Sequence, residues 1–262
     1  MLSTELTLAQ TEPAQISATL NYPHVWRCVR RSDKQRIAEH FHVYGPSVPD
    51  FGPSWNVAPQ TFQPIVRLNR DTREREIVMM RWGLLPFWAK DPKIGISTIN
   101  AKAETVATAS SFREAFRRRR CLVPADAFLE WQKSDAKTKQ PFAIALKSGE
   151  LYGFAGLWER WHDKTADADL LTFSVITTDA NSVVESLHDR MPVILSERDY
   201  SRWLDVDSPQ LPVDLLRPYD ADQMTAWKVD KRIGNVRNDN PNLLQEPSAV
   251  PEEPSLFKDT AA

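Results

Sequence analysis

Residues 121–132, "CLVPADAFLEWQ", decide how the chain is read. Leu122, Val123, Phe128, Leu129 and Trp131 make it an apolar run, and such a run reads as a β-strand. "FAIALK" (142–147) and "LYGFAGLWERW" (151–161) have the same character, so the three segments are predicted to be strands of one antiparallel sheet. Just ahead lies "SFREAFRRRR" (111–120), a helix in which Ser110 or Ser111 can cap and Phe112, Ala115 and Phe116 turn toward a core.

Working outward, "QPIVRL" (63–68) and "REIVMMRWGLLPFW" (75–88) read as strands separated by the polar turn "NRDTRE". "LLTFSVITT" (170–178) is a buried strand, and "ANSVVESLH" and "ERDYSRWL" are helices. "SDKQRIAEHF" (32–41) is a short helix with Ser32 as cap and Ile37, Ala38 and Phe41 as its apolar stripe. A proline-broken loop leads from it to Trp55. The expected fold is α+β: a single compact domain over 26–242, with a twisted antiparallel sheet, flanking short helices and long Pro-rich loops. Residues 1–25 are expected to be a disordered or frameshifted extension, and residues 243–262 a flexible tail.

The bulk numbers narrow the class. The chain has 262 residues, 42% hydrophobic and 26% charged, with a net charge of −2, so no global basicity points to nucleic acid. Nine tryptophans and nineteen prolines against eight glycines suggest extended, loop-rich segments with aromatic binding platforms. Two cysteines, Cys28 and Cys121, make no disulfide framework and imply a reducing compartment. Residues 1–23 carry no Lys or Arg, unlike the start of a signal peptide, and no apolar run reaches the ~20 residues of a membrane span. The expected location is cytoplasmic, nucleoid-associated when bound to DNA. The His and Cys residues have no metal-ligand spacing and no Gly-rich phosphate loop occurs, so neither metal nor cofactor is expected.

Three segments mix polar groups into apolar surroundings. "STINAKAET" offers Asn100, Lys102 and Glu104; "ADAFLEWQ" offers Glu130; "SLHDRMPVIL" offers His188, Asp189 and Arg190. Each has a plainer reading. Glu130 can lie on the solvent face of an alternating strand, His188 can end a helix, and Asn100 can be a turn residue. Arg117–Arg120 can be a solvated helix end or a phosphate-binding patch. Spacing alone leaves the function open.

Taken in order, "WNVAPQ", "MRWGLLPFWAKDPKIG", "INAKAET", "SFREAFRRRRCLVPADAFLEW", "FAGLWERW", "TTDAN", "HDRMPVIL" and "NVRND" resemble the SOS response-associated peptidase (SRAP) family, the abasic-site processing proteins. The resemblance implies a groove for single-stranded DNA containing abasic sites, and a monomer. It also implies an N-terminal cysteine, exposed by loss of the initiator Met, whose α-amine attacks the open-chain aldehyde and whose thiol closes a thiazolidine. Self-processing peptidase activity goes with it. By matching motifs, Glu130 and His188 are the acid–base pair and Asn100 orients amine and aldehyde. Lys102 and Arg190 are phosphate contacts, and Trp82 with Asn56 and Pro59 is the surface on which bases stack.

The chain departs from the family at its start. Family members begin Met-Cys-Gly-Arg; an ungapped match through "VRRSDKQRIAEHF" sets His24, Val25, Trp26 and Arg27 against those four residues. Val25, at the nucleophile position, carries no nucleophile. Cys28 cannot replace it, because a thiazolidine needs a free α-amine and a thiol on one residue. His-Val-Trp can be encoded CAT-GTG-TGG, which read one base later begins ATG-TGT-GG; one restored C then gives Met-Cys-Gly-Arg-Cys-Val. Residues 1–27 are therefore read as a frameshifted start. The alternatives are a DNA-binding pseudo-enzyme and a thiol peptidase using Cys28 or Cys121.

Overall fold

The computed structural model describes residues 27–44, 48–132 and 139–246; the expected extension at 1–25 and the tail beyond residue 246 lie outside them. In chain order the elements are β1 (Arg27–Arg30), α1 (Lys34–His40), β2 (Ser54–Val57), β3 (Phe62–Leu68), β4 (Arg75–Trp82), β5 (Asn100–Lys102), α2 (Arg113–Arg118), β6 (Arg120–Ala125), β7 (Ala127–Trp131), β8 (Pro141–Leu146), β9 (Tyr152–Asp163), β10 (Ala168–Asp179), α3 (Ser182–Glu185), β11 (Arg190–Pro192), β12 (Ile194–Leu195), α4 (Tyr200–Leu204) and β13 (Met224–Lys228). One sheet runs β13-β8-β7-β1-β2. In the other, β10, β4, β3, β6 and β9 close into a barrel-like ring, with β5, β11 and β12 at its margins.

The run 121–132 is not one strand. It changes sheet at Asp126: β6 pairs with β9 in the barrel, whereas β7 pairs with β1 and β8. Nor is the sheet wholly antiparallel, since β10 runs parallel to β4 and β5. "REIVMMRWGLLPFW" also stops early, at Trp82, where Gly83 adopts φ +122°. A Cβ at Gly83 would lie 2.4 Å from the Gly95 carbonyl oxygen, so only glycine lets the loop fold back there.

Three apolar layers follow from strand alternation. Between the sheets lie Cys28, Met80, Trp82, Cys121, Phe128 and Phe154. On the barrel's other side, Ile37 of α1, Phe41 just after it, Phe116 of α2 and Trp203 of α4 meet Val66, Leu122 and Ile176. Val29, Ala127 and Leu129, on the outer face of the five-stranded sheet, are covered by Val229, Ile233 and Leu243. Leu243 is buried and the Leu244 carbonyl accepts from Trp227 Nε1, so the folded chain continues past residue 242, where a flexible tail was expected.

The corner at Asp126 is held by its carboxylate. Ser32 N donates to one oxygen at 2.9 Å and Ser32 Oγ to the other at 2.7 Å, while Asp126 N donates to Val29 O. Ser32 is thus buried and does not cap α1; Asp33 does, accepting from Arg36 N. Neither Ser110 nor Ser111 caps α2, whose flanking residue Phe112 makes no side-chain cap bond. Arg120 is buried rather than solvated, donating to Phe116 O at 2.7 Å and Trp203 O at 2.6 Å; Arg119 pairs with Glu159 at 2.7 Å. Asp126→Ala should cost about 2–3 kcal/mol, because the buried Ser32 N–H loses its acceptor. Chemical denaturation tests this; a loss below about 0.5 kcal/mol would show that the corner holds without the clamp.

Candidate active site

Glu130 shares a face of β7 with Phe128, and that face looks into the layer between the sheets. Because the opposite face, with Ala127 and Leu129, is covered as well, β7 has no solvent side for Glu130 to occupy. Glu130 is 4% exposed. Burial pushes its carboxyl up to about 8; the Trp131 backbone bond opposes the rise, and the charge of Asp189 adds to it. At neutral pH it is mostly the neutral acid, able to donate a proton. The last β1–β7 pair at this end is Arg27↔Leu129, so Glu130 lies just beyond the N-terminal end of β1.

Asn100 and His188 belong to segments of the barrel sheet. Asn100 on β5 is in register with Val175 of β10, and Arg190 on β11 is in register with Asp179 of the same strand. The two segments flank the C-terminal half of β10, and Asp189, next to His188, reaches Glu130 with its charge. His188 follows α3, its N–H donating to Val184 O. Its Nδ1 accepts from Arg190 N at 3.0 Å and lies 3.2 Å from Asp189 Oδ1, and the ring is half-exposed. Asn100 Oδ1 is buried with no hydrogen-bond donor among the described residues. A buried acceptor without a donor is costly and is suited to receive one from a bound molecule.

Other expected site residues have different roles. Trp82 is 1% exposed, stacked on Phe173 at 5.8 Å, with Nε1 donating to Ile99 O. It is core, on the same face of β4 as Met80, and cannot stack on a base. Asn56 and Pro59 are buried too. Asn56 Nδ2 donates to the carbonyls of Ile233, Asn235 and Asn238, and its Oδ1 accepts from Arg27. It joins the "WNVAPQ" and "NVRND" segments and offers nothing to DNA. Arg190 makes a bidentate pair with Glu104 at 2.8 and 3.0 Å and also donates to Asp179 and Thr177 O. Its hydrogen bonds lower the carboxyl pKa of Glu104 from its ordinary value. Two carboxylates offset its charge, so Arg190 braces β11 against β10 instead of presenting a free cation to phosphate. Lys102, on β5 two residues past Asn100, is exposed.

Residues that sequence reasoning passed over stand on the loop entering β5. Phe87 is 63% and Trp88 46% exposed. The loop beneath them is fixed: Trp161 Nε1 donates to Ala89 O at 2.7 Å, and Gln60 Nε2 bridges Trp82 O and Gly95 O. Pro86, just ahead of them, was the available signal, since it ends the strand pattern and leaves the following aromatics unpaired.

Both thiols are inert. Cys28 is buried, its thiol pushed up to about 12 by desolvation, and Cys121 is raised for the same reason. A nucleophilic cysteine needs the thiolate and access. Neither position provides them, which removes the footing of a thiol peptidase reading.

The sign of the Glu130 shift sets a pH dependence. The folded-state pKa of about 8 lies above the usual carboxylate value of 4.5, so burial of the neutral acid favours folding fully below about 4.5. That advantage shrinks steadily as pH rises above about 4.5 and is gone above about 8, where the buried group ionises. Glu130→Gln should match the parent melting temperature only below about pH 4.5, exceed it by a margin that widens from there to about pH 8, and keep the full margin at pH 9. Equal curves at every pH would place the carboxylate in water.

The SOS response associated peptidase (SRAP) family profile matches residues 26–236. The abasic site processing protein YoqW of Bacillus subtilis is 43% identical over 198 residues, which cover 75% of this chain and 87% of YoqW. The chicken abasic site processing protein HMCES is 31% identical over 245 residues, 81% of this chain and 70% of that protein. A crystal structure of a Bacteroides thetaiotaomicron protein superposes with a TM-score of 0.71 at 27% identity, covering 85% of this chain and 99% of that one. A Bordetella bronchiseptica protein gives 0.65 at 27% identity, covering 78% and 99%. Sequence and fold agree: the chain belongs to the SRAP family.

Proposed function

We propose that this chain recognises abasic sites in single-stranded DNA, and that Glu130, His188 and Asn100 serve the capture of the lesion's aldehyde by an N-terminal cysteine. The observation that carries this reading is Glu130 itself. It is a buried neutral acid just beyond the N-terminal end of β1, and the position matched to the family's cysteine lies two residues ahead of Arg27. Relatives named as abasic site processing proteins support the lesion.

The chemistry needs those groups. The α-amine adds to the aldehyde carbon, and the carbinolamine oxygen then leaves as water, taking a proton that Glu130 in its acid form can supply. His188 can take up the proton the amine gives off. The thiol adds across the resulting C=N bond, its sulfur bonding carbon and its proton passing to nitrogen, and closes the thiazolidine. The unpartnered Asn100 Oδ1 accepts from the amine and fixes its approach. Phe87 and Trp88 stack on bases beside the gap left by the missing one, and Lys102 meets a phosphate.

The printed chain has Val25 where the nucleophile belongs, so it binds the lesion without bonding to it. The family match begins at residue 26, consistent with a frameshifted start ahead of it. The printed chain should give no denaturant-stable adduct with abasic single-stranded DNA, whereas a chain beginning Met-Cys-Gly-Arg-Cys-Val should give one. In the latter, Glu130→Gln and His188→Ala should each slow adduct formation ~10²–10⁴-fold in single-turnover gels, with DNA affinity retained. Equal adduct yield from the printed chain would refute the assignment of Val25. Trp88→Ala should lose about 1–3 kcal/mol of DNA binding; an unchanged dissociation constant would remove the stacking role.

A further inference from the structure

At the far end of the barrel from Glu130, the β3–β4 turn and the end of α2 enclose a cleft of ≈ 640 Å³ lined by Arg70, Arg73, Arg117 and Arg118. All four are exposed. The only carboxylate lining it among the described residues is Asp207, which pairs with Arg73; Glu114 reaches Arg118 from outside at 3.8 Å. The dipole of α2 accounts for cations at its last turn, Arg117 and Arg118. It does not account for Arg70 and Arg73, which come from another element and add like charge to the same cavity.

The turn that carries those two is built to hold them. Asn69 Oδ1 accepts from Asp71 N and Thr72 N, and Arg73 N donates to Asn69 O. Arg73 sits at φ +61°, a conformation glycine or asparagine takes more easily. Arg70 Nη2 donates to Arg118 O, joining the turn to α2. A concave group of exposed guanidinium forks in a chain of net charge −2 suits a chain of phosphates.

We propose that this cleft is a second anchoring point for the sugar–phosphate backbone of the DNA whose lesion lies at Glu130; this rests on the function proposed above. β4 joins the two ends: seven residue steps from Trp82 to Arg75, at ~3.3 Å each, put them about 23 Å apart. A strand must therefore extend several nucleotides from the lesion to touch both.

The test measures binding of the full chain to single strands bearing a stable tetrahydrofuran abasic analogue at the centre, one of about five nucleotides and one of about 25, across a salt series. Two single-strand phosphate contacts contribute about 1.4 to the log–log salt slope, equivalent to about 25-fold in affinity at 0.1 M salt. Arg70→Gln combined with Arg117→Gln, both at exposed positions, should weaken the long strand by about that factor and reduce its slope by about 1.4. The short strand should bind as before. If the parent binds both strands and the double variant equals it on the long one, the cleft is not a DNA anchor. Equal weakening on both strands would also overturn the proposal, because it would put the arginines at the lesion. If the parent binds neither strand, the DNA reading itself fails, and this inference with it.

Discussion

The Asp126 carboxylate is the constraint on which the architecture depends. A single apolar run has to leave the barrel and enter the second sheet within one residue, and the backbone groups exposed at such a corner need partners. Asp126 supplies them by taking both donors of Ser32, while its own N–H binds Val29 O. The same contacts seat β1 beside β7, in the register Cys28↔Phe128. Because strand side chains alternate, that seating turns Phe128 and Glu130 inward together and sends Leu129 to the outer layer. A shift of one residue would put Glu130 outside.

Burial of Glu130 is therefore a consequence of packing, and its chemistry a consequence of burial. A carboxylate held in an apolar layer without a cation is an expensive group to ionise, so it keeps its proton to about pH 8. The charge of Asp189 is negative and adds to the rise, a smaller effect than burial. The arginine of the site is neutralised. Arg190 is matched by Glu104 and Asp179, so the segment bearing His188 is braced while little positive field reaches Glu130 to lower its pKa.

Strand positions were legible in the sequence because periodicity and turn chemistry announce them; β3, β4, β8 and β10 fall on the apolar runs that suggested them. The sheet change at Asp126 was not legible, because a buried aspartate at a corner and a loop aspartate look alike until Ser32, 94 positions away in sequence, arrives. Glu130 was legible as an anomaly but not as a buried acid, since covering both faces of β7 depends on distant residues such as Ile233 and Leu243. The exchange of Trp82 for Trp88 has a simpler cause. Both stand in one motif, and only the end of β4 at Gly83 separates a packed tryptophan from an exposed one.

The cysteines show how far fold and reaction are separable in this chain. Cys28 and Cys121 fill the layer between the sheets as small apolar groups, and nothing in that layer needs their sulfur to react. The proposed reaction needs a cysteine with its own free amine, which Cys28, inside β1, cannot have. On that proposal the reactive group stands ahead of β1 in sequence, and the register of β1 and β7 and the burial of Glu130 do not involve it. In the proposed function, such a chain keeps the buried acid at Glu130 and lacks the thiol that would form the bond.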